Sequence, residues 1–263
     1  LKCIFTKIYL ILKLSAVIIT YNEIGYIEEC IKSVSFADEI VIVDSYSTDG
    51  TWEYIQQLPK IKAVQHSFED FTKQKTFALS LASNNWIYFL DADEVVPKKL
   101  QQEIIETINS PSTHDAYWNY RIFMFKNKRL YFSGWRTDKI QRLFKKDKCK
   151  FVDSLIVHET LEVEGSEGKL KEKLIHFSYK EYNDYKGKMI KYGQMKAQES
   201  FIKQKKWTLL HQYLRPTWKF FNHYILRLGF LDGTKGITIC YLNALGVWAR
   251  YKELKKLERS NNK

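Results

Sequence analysis

The sequence predicts an α/β fold: a mixed, mainly parallel sheet with flanking helices, followed by a C-terminal helical extension. Three observations predict it. Apolar, largely β-branched runs at Leu14 to Thr20, Glu39 to Val43 and Trp86 to Leu90 have the length and composition of buried strands. Each of the first two is followed by a polar loop and then by apolar residues at helical spacing. Beyond about residue 178 the pattern is helical throughout, with no Pro- or Gly-rich linker marking the change. Strands alternating with helices imply right-handed crossovers, and in such sheets ligands bind where the loops leave the carboxyl ends of the strands.

The first strand, Leu14 to Thr20, runs into Tyr21-Asn22-Glu23, and Ile27, Ile31 and Val34 then mark a helix. Glu39 to Val43 is the second strand, and the loop Asp44 to Gly50 opens a helix at Thr51 to Leu58. Ile61 to Gln65 is a third strand, Phe71 to Ser83 a helix, and Trp86 to Leu90 the fourth strand. This last run ends in Asp91-Ala92-Asp93-Glu94, three carboxylates within four residues. Clustered carboxylates repel one another and resist desolvation, so they call for solvent or a shared cation. After Pro97 a helix carries Leu100, Ile104, Ile105 and Ile108 as its apolar stripe. From Ala116 to Phe151, aromatic and β-branched segments with basic turns predict a mixed or antiparallel part of the sheet. The expected division is a non-core segment over 1–12, a catalytic domain over 13–178 and the helical extension over 179–263.

The 263 residues suffice for one large α/β domain, and the net charge of +12 points to an acidic partner: nucleic acid, a phosphorylated small molecule or an anionic membrane. Cys3, Cys30, Cys149 and Cys240 have no Cys-x-x-Cys pairing, which argues against a zinc site or a disulfide framework and for reduced thiols in the cytoplasm. Leu1 to Leu14 is apolar but interrupted by Lys7 and Lys13, too short for a span and without a small-residue cleavage site.

Val17-Ile-Ile-Thr-Tyr-Asn-Glu23, Val43-Asp44-Ser45-x-Ser47-x-Asp49-Gly50-Thr51 and Phe89-Leu-Asp91-Ala-Asp93-Glu94, in that order on alternating strands, closely resemble family 2 glycosyltransferases of the GT-A (Rossmann-like) fold. Gln74-Lys75, Gly134-Trp135, Arg142-Leu-Phe144, Val157-His158-Glu159, His176 and Gly229-Phe-Leu-Asp-Gly233 extend the likeness to the bacterial lipopolysaccharide-core β-glucosyltransferase group, over Lys13 to Tyr251. The resemblance implies an inverting transfer of a sugar from a nucleotide diphosphate donor, a UDP-sugar, to a hydroxyl, with glucose or a related hexose as the sugar and a lipid-linked or core oligosaccharide as acceptor.

That chemistry needs a grip on the nucleotide, neutralisation of the departing diphosphate and a base for the attacking hydroxyl. For the nucleotide the resemblance points to Thr20, Tyr21, Glu23 and Asp44, with the two carboxylates as acceptors for uracil N–H or ribose hydroxyls, and to Lys75. Asp49 and Ser47 also read as caps of the helix opening at Thr51. Asp91 and Asp93 are expected to hold Mg²⁺ or Mn²⁺, Asp93 by direct ligation and Asp91 through ribose or a metal-bound water. Glu94 is expected to position the loop or acceptor. Glu159 is the expected base, with Asp138 and Asp153 as rivals. Arg142, flanked by apolar residues, suits a fork for phosphate or an acceptor carboxylate, or a brace for Glu159. His158 and His176 read as metal or phosphate contacts or as structural hydrogen-bonding residues.

From Trp207 to Lys263, ten Lys and Arg stand against three acids. Two apolar stripes, Trp218, Phe221, Ile225 and Leu228, then Ile237, Tyr241, Leu245, Trp248 and Tyr251, suit an interfacial helix pair on an anionic leaflet, or packing on protein. A cytoplasmic enzyme peripheral to the inner face of the plasma membrane follows from the first alternative. A catalytically inactive nucleotide-sugar scaffold and a nucleic-acid-binding protein are the competing classes; no nucleic-acid-binding motif supports the latter.

Overall fold

The computed structural model describes residues 12–111, 113–135, 137–155, 158–179 and 181–261, without the side chains of 153–155, 158–159 and 179. The expectation for the N-terminal segment therefore falls, but for Leu12, outside the described residues. Strand β1 (Leu14–Thr20) is buried along its whole length. It lies between β2 (Glu39–Asp44) and β4 (Trp86–Asp91), parallel to both, and β3 (Ile61–Gln65) extends the parallel set beyond β2. The remaining strands are β5 (Glu94–Val95), β6 (Ala116–Phe125), β7 (Lys128–Arg129), β8 (Lys139–Lys145), β9 (Cys149–Leu155), β10 (His158–Val163) and β11 (Glu167–Tyr179). The main sheet runs β3-β2-β1-β4-β8-β6-β11-β5, with β7 on β6; β9 and β10 form a separate pair. Because β8 is antiparallel to β4, the sheet is mixed, as expected.

Helices α1 (Ile27–Ser33), α2 (Thr51–Gln56), α3 (Phe71–Leu81) and α4 (Lys98–Ile108) connect the first strands. Strand residues alternate between two covered faces, which explains why these runs are apolar throughout. Ala16, Ile18, Ile42, Tyr88 and Leu90 pack with Ile27, Leu100 and Ile104 on one side. Val17, Ile19, Val43, Ile87 and Phe89 pack with Ala78, Leu79 and Phe144 on the other. One expected core residue is misplaced: Ile105 is 43 % exposed. It sits about 100° round the helix from Ile104, and Leu100, Ile104 and Ile108 already fill the buried stripe.

The chain forms two compact units. The first contains the described residues up to Asn119 with Ile140–Phe151 and Leu161–Leu174; the second contains Tyr120–Lys139, Val152–Thr160 and everything from Ile175 onward. The helical extension is thus joined by three stretches from within the 13–178 span, the last being Ile175 to Ser178. Its helices are α5 (Tyr182–Ile202), α6 (Leu209–Phe221) and α7 (Gly233–Asn261). The buried face of α7 is Gly236, Ile239, Cys240, Leu242, Ala244, Gly246, Ala249, Tyr251 and Leu254. Of the two expected stripes, Tyr251 is buried and Leu245 is partly buried against Phe123 and Tyr185, whereas Trp218, Phe221, Ile225, Leu228, Ile237, Tyr241 and Trp248 face solvent. Among the described residues no helix is long and apolar enough to cross a membrane.

Helices α5 and α7 meet backbone to backbone. A Cβ at Gly193 would lie 2.4 Å from the Gly246 carbonyl oxygen and 3.1 Å from the Arg250 nitrogen. Neither can swing aside, unlike a side-chain end. Gly193→Ala is expected to destabilise the protein by about 1–3 kcal/mol, the usual cost of overpacking, read as a lower urea midpoint; an unchanged midpoint would show that the helices do not meet this closely.

Candidate functional site

The parallel strands bring the motifs together by register alone. Thr20 pairs with Asp44 and Ile19 with Asp91, so the carboxyl ends of β2, β1 and β4 lie side by side. Gln65 is level with Asp44 at the end of β3. Two loops here contain non-glycine residues in the left-handed region, Asn22 at φ 55° and Tyr46 at φ 60°. Such a conformation is tolerated by Asn and uncommon for Tyr. Local hydrogen bonds hold both: Asn22 Oδ1 accepts from the Thr48 amide at 2.8 Å, and the Asn22 amide donates to Ser47 Oγ at 2.8 Å.

Asp44 is fully buried. Its carboxylate accepts from Ser47 Oγ (2.5 Å), the Ser47 amide (2.9 Å) and Gln65 Nε2 (3.0 Å), which commits three of its roughly four lone-pair sites to holding this loop. Asp49 behaves as the capping alternative anticipates, accepting from the Thr51 hydroxyl at 2.6 Å and from the Ile24 amide at 3.1 Å. The Glu23 amide donates to Thr51 Oγ1 at 3.0 Å. The loops after β1 and β2 are therefore laced into one surface. Tyr21 stands 57 % exposed upon it, while Thr20 Oγ1 is buried with no hydrogen-bond partner among the described residues.

The carboxylate turn after β4 is organised from beneath. Arg142, on β8 and 2 % exposed, donates through Nη2 to Asp91 Oδ2 and lies 2.7 Å from Glu94 Oε2. Glu94 is fully buried and also accepts from the Asp91 amide at 3.1 Å. Expected to reach a ligand, Arg142 instead turns one nitrogen, Nη2, to the turn itself, while its Nε is buried without a partner among the described residues, and Glu94 is a positioning residue. Lys75, on α3, is 3 % exposed; its ammonium is 4.0 Å from Asp91 Oδ1 and 5.7 Å from the Phe89 and Phe151 ring centres. Burial, then Glu94, Asp93 and Asp91, push the Cys30 thiol well above its ordinary range, so all three carboxylates share one field beneath the turn. The same two carboxylates, Asp91 and Glu94, raise the Arg142 guanidinium against the cost of burial.

Among the described residues no three His, Cys, Asp or Glu side chains converge into a metal cage. The donors fit another arrangement, in which a hard divalent ion takes one or two carboxylates and completes its shell with substrate phosphate and water. Asp91 has its charge shared with Arg142 and Lys75, and Asp93, two residues on, is partly exposed and offers the carboxylate for direct ligation.

Residues beyond the expected set also border this surface. His66 follows β3, its Nδ1 2.8 Å from Gln74 Oε1 and its ring stacked 3.9 Å from Phe77; Gln74 Nε2 donates to Ser45 Oγ at 3.0 Å. The available signal was the polar pair Gln65-His66 ending a strand of the parallel set. Elsewhere, Asp138 in the second unit is bound by Arg121 at 2.7 Å, and the His176 ring packs 5.1 Å from Phe123. The side chains of Asp153, His158 and Glu159 lie outside the described residues. Arg142→Met would leave Glu94 buried, and Asp91 partly buried, beside an uncharged neighbour and is expected to cost about 3–5 kcal/mol, measured by urea unfolding; a loss under 1 kcal/mol would mean that the turn does not depend on the clamp.

Comparison with known proteins matches residues 15–159 to a family model described as glycosyl transferase family 2. An uncharacterised glycosyltransferase of Rickettsia felis is 31 % identical over 260 residues, covering 94 % of this chain and 90 % of the relative. The lipopolysaccharide core biosynthesis glycosyltransferase LpsC of Rhizobium meliloti is 29 % identical over 259 residues, covering 91 % and 93 %. Among solved structures, S. aureus TarS 1–349 aligns at a TM-score of 0.44 and 16 % identity over 95 % of this chain and 92 % of that one. The family match spans the three strand-end motifs, and the chain belongs to glycosyl transferase family 2.

Proposed function

We propose that this glycosyltransferase moves a hexose, glucose or a close relative, from a UDP-sugar to a hydroxyl of a cell-envelope glycan such as lipopolysaccharide core, in a metal-dependent reaction that inverts the anomeric carbon. The observation that carries the donor half is the in-register set of Thr20, Asp44 and Asp91 with a turn clamped from below. The acceptor half draws on the relative named for lipopolysaccharide core biosynthesis. In this reading Tyr21 and Glu23 contact the nucleoside, together with Thr20 and the remaining lone pair of Asp44. Lys75 sets a positive charge beside the diphosphate, and Asp91 is oriented by Arg142 toward ribose or a metal-bound water. A bound Mg²⁺ or Mn²⁺, ligated by Asp93, supplies neutralisation of the departing diphosphate. Glu159 takes the proton of the acceptor hydroxyl as its oxygen bonds to the anomeric carbon and the bond to diphosphate breaks. Its rival Asp138 is engaged with Arg121.

The second unit supplies a reason to expect the acceptor at a membrane. On α6, Leu209, Leu210, Tyr213, Leu214, Trp218 and Phe221 are each between 44 and 64 % exposed, and Ile225, Leu226, Leu228, Phe230 and Leu231 continue the apolar surface. Lys205, Lys206 and Arg215, all exposed, stand in or just before the same stretch. A wide apolar face with Trp and Tyr and a basic complement suits peripheral docking on an anionic leaflet, which in a cytoplasmic enzyme is the inner face of the plasma membrane.

Two experiments test these readings. Calorimetric titration with UDP is expected to show binding that requires Mn²⁺ or Mg²⁺; Asp93→Ala should abolish the requirement, and Glu159→Gln should keep UDP binding while lowering turnover by about 10²–10⁴-fold. Metal-independent UDP binding would overturn the ion's role, and an undiminished rate in the Glu159 variant would remove it as base. For the membrane, the protein should sediment with phosphatidylglycerol vesicles and not with phosphatidylcholine vesicles, and Leu214→Ser with Trp218→Ser should release it. Equal binding by the double variant would show that this face is not the contact.

A further inference from the structure

Two sequence motifs play no part in the donor chemistry, and within the second unit they converge. Asp232, from Gly229-Phe-Leu-Asp-Gly233, accepts from the amides of Tyr131 and Phe132 at 2.9 Å each and from Ser133 Oγ at 3.2 Å. It thereby fixes the turn that carries Gly134 and Trp135. Gly134 has φ +92°, and a Cβ there would lie 2.7 Å from Arg227 Nη1 and 3.0 Å from His223 Cε1, so only glycine lets these side chains close over the turn. The result borders a cleft of about 390 Å³ lined by Trp135, Asp138, Lys139, Lys219, His223 and Asn243, among others, with Arg227 bordering it at Gly134.

The polar groups around this cleft are out of balance. Lys219 in the lining is half-buried, Arg227 beside Gly134 is exposed, and neither has a carboxylate partner among the described residues, whereas the one acid in the lining, Asp138, is already taken by Arg121. Burial, then Arg227 and Lys196, lower the Lys219 ammonium from its ordinary range. His223 is pushed down to about 4 by burial and by Lys219. It is neutral at pH 7, with Nδ1–H donated to the Ser133 carbonyl at 2.8 Å, which leaves Nε2 a lone pair. Asn243 Oδ1 accepts from the Tyr185 hydroxyl at 2.6 Å, while its Nδ2 is buried with no acceptor. A buried donor without an acceptor and a half-buried cation without a counter-ion each cost stability, and one anion would satisfy both. The volume exceeds that of a bare oxyanion, and Trp135 together with groups able to accept from hydroxyls suits a sugar ring.

We propose that this cleft binds a sugar bearing an anionic group, phosphate or carboxylate, with Lys219 and Arg227 on the anion and Trp135, Asn243 and His223 on the ring. Resting on the transferase reading, it supplies the acceptor's chemical class: an acidic, not a neutral, glycan. The site itself is independent of the donor motifs.

Ligand-observed NMR on the full chain, with saturating UDP and Mn²⁺, tests this with glucose 6-phosphate, glucuronate and glucose as probes. At least one acidic probe should bind, and neutral glucose should bind at least about tenfold more weakly, since a hydrogen bond to a charged group is worth roughly 1.5–3 kcal/mol. Which acidic probe binds tells phosphate from carboxylate. Lys219→Gln with Arg227→Gln should abolish the preference for that probe while leaving UDP affinity unchanged. Equal binding of glucose, no binding of either acid, or an undiminished preference in the double variant would each overturn the proposal. Loss of UDP binding in the parent protein, with acidic-sugar binding intact, would sink the transferase reading and leave this site standing.

Discussion

The buried guanidinium of Arg142 is the interaction on which the first unit depends. Asp91 and Glu94 sit at the end of an apolar strand, in surroundings where uncompensated carboxylates would neutralise themselves or disrupt the turn. A single cation, 2 % exposed, answers both. Arginine suits the task because one of its nitrogens, Nη2, meets both carboxylates and the group does not deprotonate on burial. Lys75 adds a second positive charge at the outer oxygen of Asp91. The turn is thus held at a nearly balanced charge, with Asp93 partly exposed on it. Preorganisation of this kind matters for a site that must meet a diphosphate without rearranging.

Next to the turn, backbone capping does similar work with neutral donors. Asp44 and Asp49 are helix-cap and turn residues by their hydrogen bonds, yet those bonds fix the surface on which Tyr21 is displayed. A structural and a functional role need not compete. Asp44 accepts two bonds from Ser47 in its own loop and one from Gln65 at the end of β3, which ties the loop to the neighbouring strand. The left-handed backbone of Tyr46 is affordable for the same reason, since Ser47 is anchored on both its amide and its hydroxyl.

Much of the first unit was legible because parallel-sheet physics is local. Runs such as Leu14–Thr20 announce strands buried on both faces, and register then carries Thr20, Asp44 and Asp91 to one edge without further information. The role of Arg142 was not legible. Gln-Arg-Leu-Phe says that the arginine is flanked by apolar residues, but only the antiparallel pairing of β8 with β4 reveals which carboxylates it meets. The C-terminal stripes failed as core indicators for a related reason. Periodicity identifies a face and not its surroundings, and α7 buries the face bearing its glycines and alanines, where α5 can approach closely. The larger residues Ile237, Tyr241 and Trp248 were left outside.

The two units treat buried charge in opposite ways, and the difference is informative. In the first, the charge of Arg142 is answered by carboxylates within hydrogen-bond reach. In the second, the half-buried Lys219 lines a cleft whose only acid is committed elsewhere, and a buried amide donor waits beside it. A chain under selection for stability alone would replace Lys219 by an uncharged residue or give it an acid, since either change removes a penalty. Keeping the cation requires a compensating gain, and at a cleft with an aromatic wall that gain is binding. The paired arginine builds the protein; the unpaired lysine is there for something the protein must meet.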